Sequence, residues 1–266
     1  MRLRVEHTTV YAYDAPVAEG YTELRLRPRE GGGQRCLSFS LLTDPSAQVH
    51  TYKDRYGNEV QHFELLASLE KLTVSARSEV ETSSGLKDPE RDLGLLDRFD
   101  FLSPTAYAPF ADEIRALAEP CRVTGDAFAT ATRVLWTVRR HLRYESGTTD
   151  VTTNASEALH RSVGVCQDFA HLMIAACRVV DVPARYVSGY IHAPGSASAA
   201  ASHAWVDVFA DRQGWLSLDP THDRAQGEEH VRVAVGRDYA DVPPTRGVFK
   251  GDAREALAVA VRIDAV

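Results

Sequence analysis

The amino-acid sequence predicts an α+β fold: a β-sheet or sandwich domain over residues 1–82, a linker over 83–104, and a mixed helix–strand region over 105–266. Three observations carry this reading. Up to residue 82 the chain runs in short, partly alternating stretches punctuated by Gly and Pro, the pattern of strands and tight turns. Glu81 to Arg91 (ETSSGLKDPER) is then polar and contains both Gly and Pro, a linker composition. Beyond it the apolar period lengthens to steps of three and four, as in an amphipathic helix, before strand-like runs return after Pro183.

In the first part, Val5 to Tyr13 alternates in part, and Leu24 to Pro28 reads as a short strand ended by its proline. A Gly31-Gly32-Gly33 break precedes an apolar run from Cys36 to Leu42. Asp54 to Asn58 is a turn signal between runs at Val49 to Lys53 and Glu59 to Leu65, and Leu72 to Val80 alternates again. In the second part, Phe128, Ala131, Leu135, Val138 and Leu142 define a helix, with Thr124 or Asp126 as its cap. A short helix begins at Asn154, with Glu157 as a capping-box partner. A third begins at Cys166: residues 166, 169, 170, 173, 174 and 177 share an apolar face, with Gln167, Asp168, His171 and Arg178 largely elsewhere. Ala184 to Ile191 and His203 to Ala210 are strands, and a turn at Asp211 to Gly214 leads into another that carries Trp215, Ser217 and Asp219 on one face.

Composition excludes several classes of function. The chain has 266 residues, 44% hydrophobic and 25% charged, with a net charge of −7, ordinary values for a globular protein. Without a basic stripe, nucleic acid is not an expected partner. No run of about 18 apolar residues marks a membrane helix, and no apolar segment of signal-peptide length follows Met1. The cysteines Cys36, Cys121, Cys166 and Cys177 form no CxxC pair, which argues against a zinc knuckle or disulfide framework and suits a reducing, cytoplasmic setting.

The chemistry concentrates around Cys166. In the first turn of a helix a thiol feels the positive end of the dipole and unpaired backbone N–H groups, which favour thiolate and can later hold an oxyanion. Gly164 is expected to let the chain turn sharply into this helix and leave access for a substrate. Cys177 stands eleven residues on, roughly 16 Å along the axis, among apolar neighbours, and reads as a buried inert thiol. His171 lies about 140° round the helix from Cys166, a poor position for a base. On the hairpin, a loop centred on residue 211 or 212 places Asp219 opposite His203 or Trp205. Cross-strand Cβ atoms lie about 5 Å apart and diagonal ones about 7–8 Å, within reach of a histidine–carboxylate hydrogen bond. Such a carboxylate fixes the imidazole tautomer and stabilises the imidazolium.

These residues carry a resemblance. Gly164-Val165-Cys166-Gln167-Asp168-Phe169-Ala170, Pro183 to Tyr190 (PARYVSGY), Ser202-His203-Ala204-Trp205 and Gly214 to Thr221 (GWLSLDPT) together resemble the transglutaminase-like core of the papain-like thiol enzymes. The N-terminal Tyr11 to Val17 (YAYDAPV) and Leu24 to Arg29 (LRLRPR), with the tail Val235 to Pro244 (VGRDYADVPP), resemble its bacterial members, whose small β domain precedes the core. The resemblance implies helices packed on an antiparallel sheet, with Cys166 as nucleophile, His203 as base and Asp219 as orienting carboxylate. It implies cleavage of an amide bond through a thioester, most simply by a cysteine peptidase or amidase acting on a peptide or isopeptide. Transfer of the acyl group from a protein glutamine to an amine is the alternative. His222 departs from the family by standing where Asn often follows Asp-Pro-Thr, a departure expected to leave the triad untouched. No calcium loop is evident and no cofactor is implied.

Other expectations are weaker. Gln167, Asp168, Trp205 and Tyr144 are candidates to line the substrate site, with Trp136 and Tyr144 also considered as oxyanion donors. Asp207 is expected to be solvated or salt-bridged, with a lesser role as an alternative triad member. The small residues from Pro194 to Ser202 (PGSASAAAS) suggest a lid. Expected partners are a peptide or protein substrate and, for transfer, an amine; no membrane is expected, and the motifs do not encode an oligomeric state. Two rival readings are a peptide-binding module that keeps the fold without catalysis, and a zinc site built on the thiol, imidazole and carboxylate, for which no fourth protein ligand is evident.

Overall fold

The computed structural model describes residues 1–83, 92–193, 202–211, 213–222 and 224–266. The N-terminal strands are β1 (Arg2–Val17), β2 (Glu19–Leu24), β3 (Gln34–Asp44), β4 (His50–Lys53), β5 (Glu59–Leu65) and β6 (Leu69–Thr82). Along β1 the side chains of Leu3, Val5, His7, Thr9 and Tyr11 turn inward while those between them face outward, the period-two pattern of a half-buried strand. The strand expected over Leu24 to Pro28 lies instead at Glu19–Leu24, sharing only Leu24 with the expectation. Leu24 and Leu26 are both buried, but beyond Leu24 the neighbouring chain reaches Pro244, whose nitrogen has no hydrogen to extend the ladder. Arg25 N–H donates to the Pro244 carbonyl at 2.8 Å as the last link.

The polar stretch expected to be a linker over 83–104 contains helix α1 (Leu95–Leu102), whose Phe101 is buried against Trp215 and Phe209. After it come α2 (Asp112–Ala118), α3 (Ala127–His141), β7 (Arg143–Tyr144), α4 (Ala155–Arg161), β8 (Val163–Gly164) and α5 (Cys166–Val179). Asp126, the second of the two possible caps, accepts from Ala129 N–H at 2.8 Å at the start of α3. Asn154 and Glu157 form the expected capping box of α4, each side chain accepting from the other's backbone N–H at 3.0 Å.

Strands β9 (Ala184–Ile191), β10 (His203–Ala210), β11 (Gly214–Asp219), β12 (Arg224–Ala225) and β13 (His230–Gly236) make an antiparallel sheet in the order β12-β11-β10-β9-β13. One face of this sheet packs on α5, which α2, α3 and α4 enclose on its other sides. Every residue of α5 from Gln167 to Val179 is therefore buried, polar ones included, rather than one apolar stripe alone. Arg178 shows how a charge is accommodated there: its guanidinium donates to the carbonyls of Ser103, Ala184 and Arg237 at 2.6–3.2 Å.

The last two strands, β14 (Thr245–Lys250) and β15 (Glu255–Ala265), leave the core and return to the N-terminal domain. They complete two four-stranded sheets, β15-β1-β6-β3 and β14-β2-β5-β4. Residues 105–266 thus do not all belong to the helix–sheet core: pairing with β1 and β2 draws the C-terminal strands into the sandwich. The sandwich has its own apolar centre of Val17, Leu24, Phe63, Leu72 and Val74. Leu3, Val5, Val80 and Val261 join the cluster around α5, so the two parts share one continuous interior.

Gly189 in β9 marks the tightest approach within the sheet. A Cβ there would stand 2.1 Å from the Val231 carbonyl and 2.6 Å from Trp205 Cη2. Gly189→Ala is expected to destabilise the fold by about 1–3 kcal/mol, because neither backbone nor buried indole can withdraw. Urea unfolding of the two proteins measures this; an unchanged midpoint would show that the sheet opens there without cost.

Candidate active site

Cys166 is the first residue of α5, half-buried, after an extended Val165. The turn into the helix is held by Asp168, whose Oδ2 accepts from Val165 N–H and from Thr149 Oγ1, both at 2.7 Å. This explains Gly164 differently from the sharp turn expected of it. Its φ is not positive; a Cβ would instead stand 2.6 Å from Asp168 Cβ and 2.8 Å from Oδ2. The glycine makes room for the carboxylate that fixes the helix start.

Hairpin β10–β11 brings the other two residues in. Its register pairs Val206 with Leu218 and Ala210 with Gly214, so the loop is centred on residue 212. One further step sets Asp219 opposite Trp205 and diagonal to His203, and His203 Nε2 lies 2.8 Å from Asp219 Oδ2. The Cys166 thiol lies beside the same ring, near enough to help raise its pKa. With Nε2 engaged by Asp219, Nδ1 is the nitrogen left for the thiol. Cys166, His203 and Asp219 are therefore brought together at one site, with His203 and Asp219 hydrogen-bonded.

Burial acts against a charge on His203, but its bonds to Asp219 and Cys166 outweigh that and push its pKa up to about 10. Burial would likewise raise the carboxyl of Asp219; bonds from His203, His222 and His230 instead hold it far below the carboxylate range. His222 Nδ1 lies 2.8 Å and His230 Nε2 3.1 Å from Oδ2, while Oδ1 accepts from the N–H groups of Thr221 and His222 at 2.9 and 3.3 Å. His203, Asp219 and His230 offer ligand atoms within 4.8 Å of one another, the set among the described residues that could hold a metal ion.

The remaining expectations divide. Trp205 is fully buried and stacks on the His203 ring at 5.9 Å, so it shields the imidazole rather than lining an open cleft. Asp168 is buried beneath the helix start, and Gln167, nearly so, donates to the Val151 carbonyl at 3.1 Å. Tyr144 is half-exposed on β7 and pairs with Gly164, two residues from Cys166, while Trp136 is half-exposed on α3. His171 is sealed between Tyr107 and Tyr186; burial lowers its pKa to about 3 and its Nε2 accepts from Tyr239 N–H at 3.2 Å. Cys177 is fully buried, and burial raises its thiol pKa. The lid expectation falls on residues 194–201, outside the described residues, with Ser202 alone described: its carbonyl faces the Cys166 sulfur at 4.0 Å. His222, expected to stand clear of the triad, instead bonds Asp219 because the turn after β11 folds its ring back onto the carboxylate, and sequence reasoning missed His230 altogether. It starts β13, which reaches the site by pairing with β9, and no local spacing signals that neighbour.

Asp207 is fully buried and salt-bridged, and it bonds to groups other than His203. It lies between Arg185 Nε at 2.9 Å and Arg232, whose two nitrogens approach at 2.6 and 2.9 Å, with Ser217 Oγ donating at 2.5 Å. Burial opposes its charge, but the two guanidinium groups prevail and lower its pKa from 3.8 to about 2.

Comparison with known proteins agrees with this architecture. Residues 3–81 match the bacterial transglutaminase-like N-terminal region, and residues 115–220 match the transglutaminase-like superfamily. An uncharacterized protein of Mycobacterium leprae is 36% identical over 98% of each chain. A protein-glutamine gamma-glutamyltransferase of Pseudomonas aeruginosa is 34% identical over 33% of this chain and 15% of its own length. A Cytophaga hutchinsonii protein described as a candidate cysteine protease has the same fold, with a TM-score of 0.78 at 22% identity over 100% of this chain and 91% of its own. The helix–sheet core with a thiol at a buried helix start defines the class as transglutaminase-like, a superfamily that includes both cysteine-protease-like proteins and transglutaminases. Within that class the chain belongs to the bacterial transglutaminase-like family whose members carry the N-terminal β region.

Asp207→Asn leaves Arg185 and Arg232 without their counter-charge, and a loss of about 2–3 kcal/mol in unfolding free energy is expected from the displacement of the carboxyl from 3.8 to about 2. Because the folded pKa of Asp207 is depressed, its contribution is complete above the unfolded value of 3.8 and is lost as pH falls through about 2. Urea titrations of both proteins from pH 5 to pH 2 should therefore converge at the acid end; a constant difference would contradict the assignment.

Proposed function

We propose that the protein is a thiol-dependent amide-bond enzyme acting through a Cys166–His203–Asp219 triad, most simply as a cysteine peptidase or amidase on a peptide or isopeptide. The observation that carries this reading is the His203–Asp219 hydrogen bond set beside a thiol at a helix start. His203 draws the thiol proton, and the Cys166 sulfur attacks the substrate carbonyl carbon. The carbonyl electron pair moves to oxygen, where the backbone N–H of Cys166 at the helix terminus offers a donor. On collapse, His203 gives its proton to the departing amine and a thioester remains. Water, deprotonated by His203, attacks that thioester; the acid leaves and the thiol is regenerated. Asp219 holds the imidazole throughout and remains ionised.

Acyl transfer is the second reading, favoured by the partial likeness to a protein-glutamine gamma-glutamyltransferase. An amine then replaces water in the last step, and the same three residues act. The four cysteines are free, which fits a reducing, cytoplasmic setting. No nucleic acid enters either scheme.

Once His203 has drawn the thiol proton, its ring holds that proton up to about pH 10, and an imidazolium beside Cys166 favours its reaction as a nucleophile. Iodoacetamide at pH 6, where an ordinary thiol of pKa about 8.5 is only ~0.3% ionised, should label Cys166 ahead of Cys36, Cys121 and Cys177. Adduct mapping by mass spectrometry tests this, and labelling of Cys36 or Cys177 first would remove the basis for the triad. With a peptide and amine library, hydrolysed products identify the amidase and amine adducts the transferase. Cys166→Ala should abolish both; products that survive this change would refute thiol catalysis.

A further inference from the structure

His230 has no part in the scheme above, yet it is fully buried against the triad. Its Nε2 lies 3.1 Å from Asp219 Oδ2, and its Nδ1 faces the Gly227 backbone N–H at 3.2 Å. A backbone N–H can only donate. Nδ1 therefore carries the lone pair, and Nε2 carries the proton of the neutral ring. That proton points at Asp219. The same tautomer speaks against the metal reading of His203, Asp219 and His230, because Nε2 has no lone pair to give an ion.

We propose that His230 is a positioning residue for the triad: its Nε2–H pins the Asp219 carboxylate in the orientation that holds His203. The proposal rests on the triad reading above. Two of the histidines at Asp219 cannot do this work. His203 is the group being oriented, and His222, partly exposed, lies three residues along the same turn and moves with the carboxylate it binds. His230 comes from β13, on the far side of β9 from the hairpin, and so ties Asp219 to the body of the sheet.

The segment carrying His230 is itself braced by the sandwich. Gln34, buried at the start of β3, accepts from Arg232 N–H and donates to its carbonyl, both at 2.8 Å. Thr82 Oγ1 donates to the Glu228 carbonyl, and the amino group of Met1 reaches the Glu228 side chain at 2.9 Å. A path of hydrogen bonds thus runs from the N-terminal domain through residues 228–232 to the triad. The charged and titratable groups that face the ring are Asp219, His203 and Glu229, whose Oε1 stands 3.7 Å from Nδ1 and is held by Arg224 at 2.9 Å. The edge of the contact is closed by Trp205, with ring centroids 5.2 Å apart.

The test uses the alkylation rate of Cys166 by iodoacetamide as a function of pH, which needs no substrate. Four proteins are compared: wild type, His230→Leu, His230→Gln and Asp219→Ala, each checked by thermal melting. His230→Leu should slow labelling at pH 6 about tenfold and move the profile up by about one pH unit, as a less firmly held Asp219 stabilises the imidazolium less. His230→Gln keeps an N–H donor of similar reach and should restore most of the rate. A wild-type profile in His230→Leu, or a glutamine variant as impaired as the leucine one, overturns the proposal. Stoichiometric zinc in the wild type that is lost in His230→Leu overturns it too. If Asp219→Ala leaves the profile unchanged the triad reading itself fails; if Asp219→Ala alters it and His230→Leu does not, only the role of His230 is lost. A measurement independent of any variant is the long-range proton–nitrogen spectrum of the histidine rings. It should show His230 as the Nε2–H tautomer, and the Nδ1–H tautomer refutes the assignment.

Discussion

The carboxylate of Asp219 is the group on which the site depends. An isolated buried anion is costly, and it survives without neutralising only when hydrogen bonds replace its water. Here five N–H approaches supply them, three histidine nitrogens at one oxygen and two backbone groups at the other. The arrangement has a direction. The charge cannot turn away from His203 without breaking bonds to two other elements, so the imidazole is held in one orientation toward the thiol. A more exposed aspartate would have offered the same charge with less geometry.

The adjoining strand β10 carries a second buried acid of another character. Asp207 lies four residues along β10 from His203, clasped by two arginines, one from β9 and one from β13. Arg185 also lies over the Trp215 ring, with 4.0 Å between guanidinium carbon and ring centroid. One acid therefore serves the end of the sheet where chemistry is proposed, and the other locks four strands together, β9, β10, β11 and β13. Arg232 belongs to both arrangements: its side chain reaches Asp207 while its backbone is gripped by Gln34 of the sandwich.

Much of this was legible in the sequence, and the rest had physical reasons for being hidden. Local signals were dependable: the Asn154–Glu157 capping box, the hairpin about residue 212 and the thiol at a helix start all depend on neighbours a few residues apart. The diagonal contact of His203 with Asp219 follows from strand periodicity once the turn is fixed. What sequence did not reveal were partners set by topology. His230 meets Asp219 because β13 joins the sheet beyond β9, and β14 and β15 lie in the sandwich because they pair with the first two strands. Gly164 was misread for a related reason, since its need is the volume of Asp168 rather than a backbone torsion. Trp205 stood on the expected strand face, but that face is covered by Tyr56 and the strand neighbours Val187 and Val235 rather than opened to a substrate.

The return of the C-terminal strands has a consequence for how the protein comes into being. In β1, residues Leu3 to Tyr13 find their outer ladder only in Glu255 to Ala265, near the opposite end of the sequence. During synthesis the first strand emerges long before this partner, and the sandwich must wait with one edge of each sheet unfilled. Because that sandwich also grips the segment beside the triad, biosynthesis builds in an order of assembly: the reactive centre gains its full frame only after the strand Glu255–Ala265 has left the ribosome.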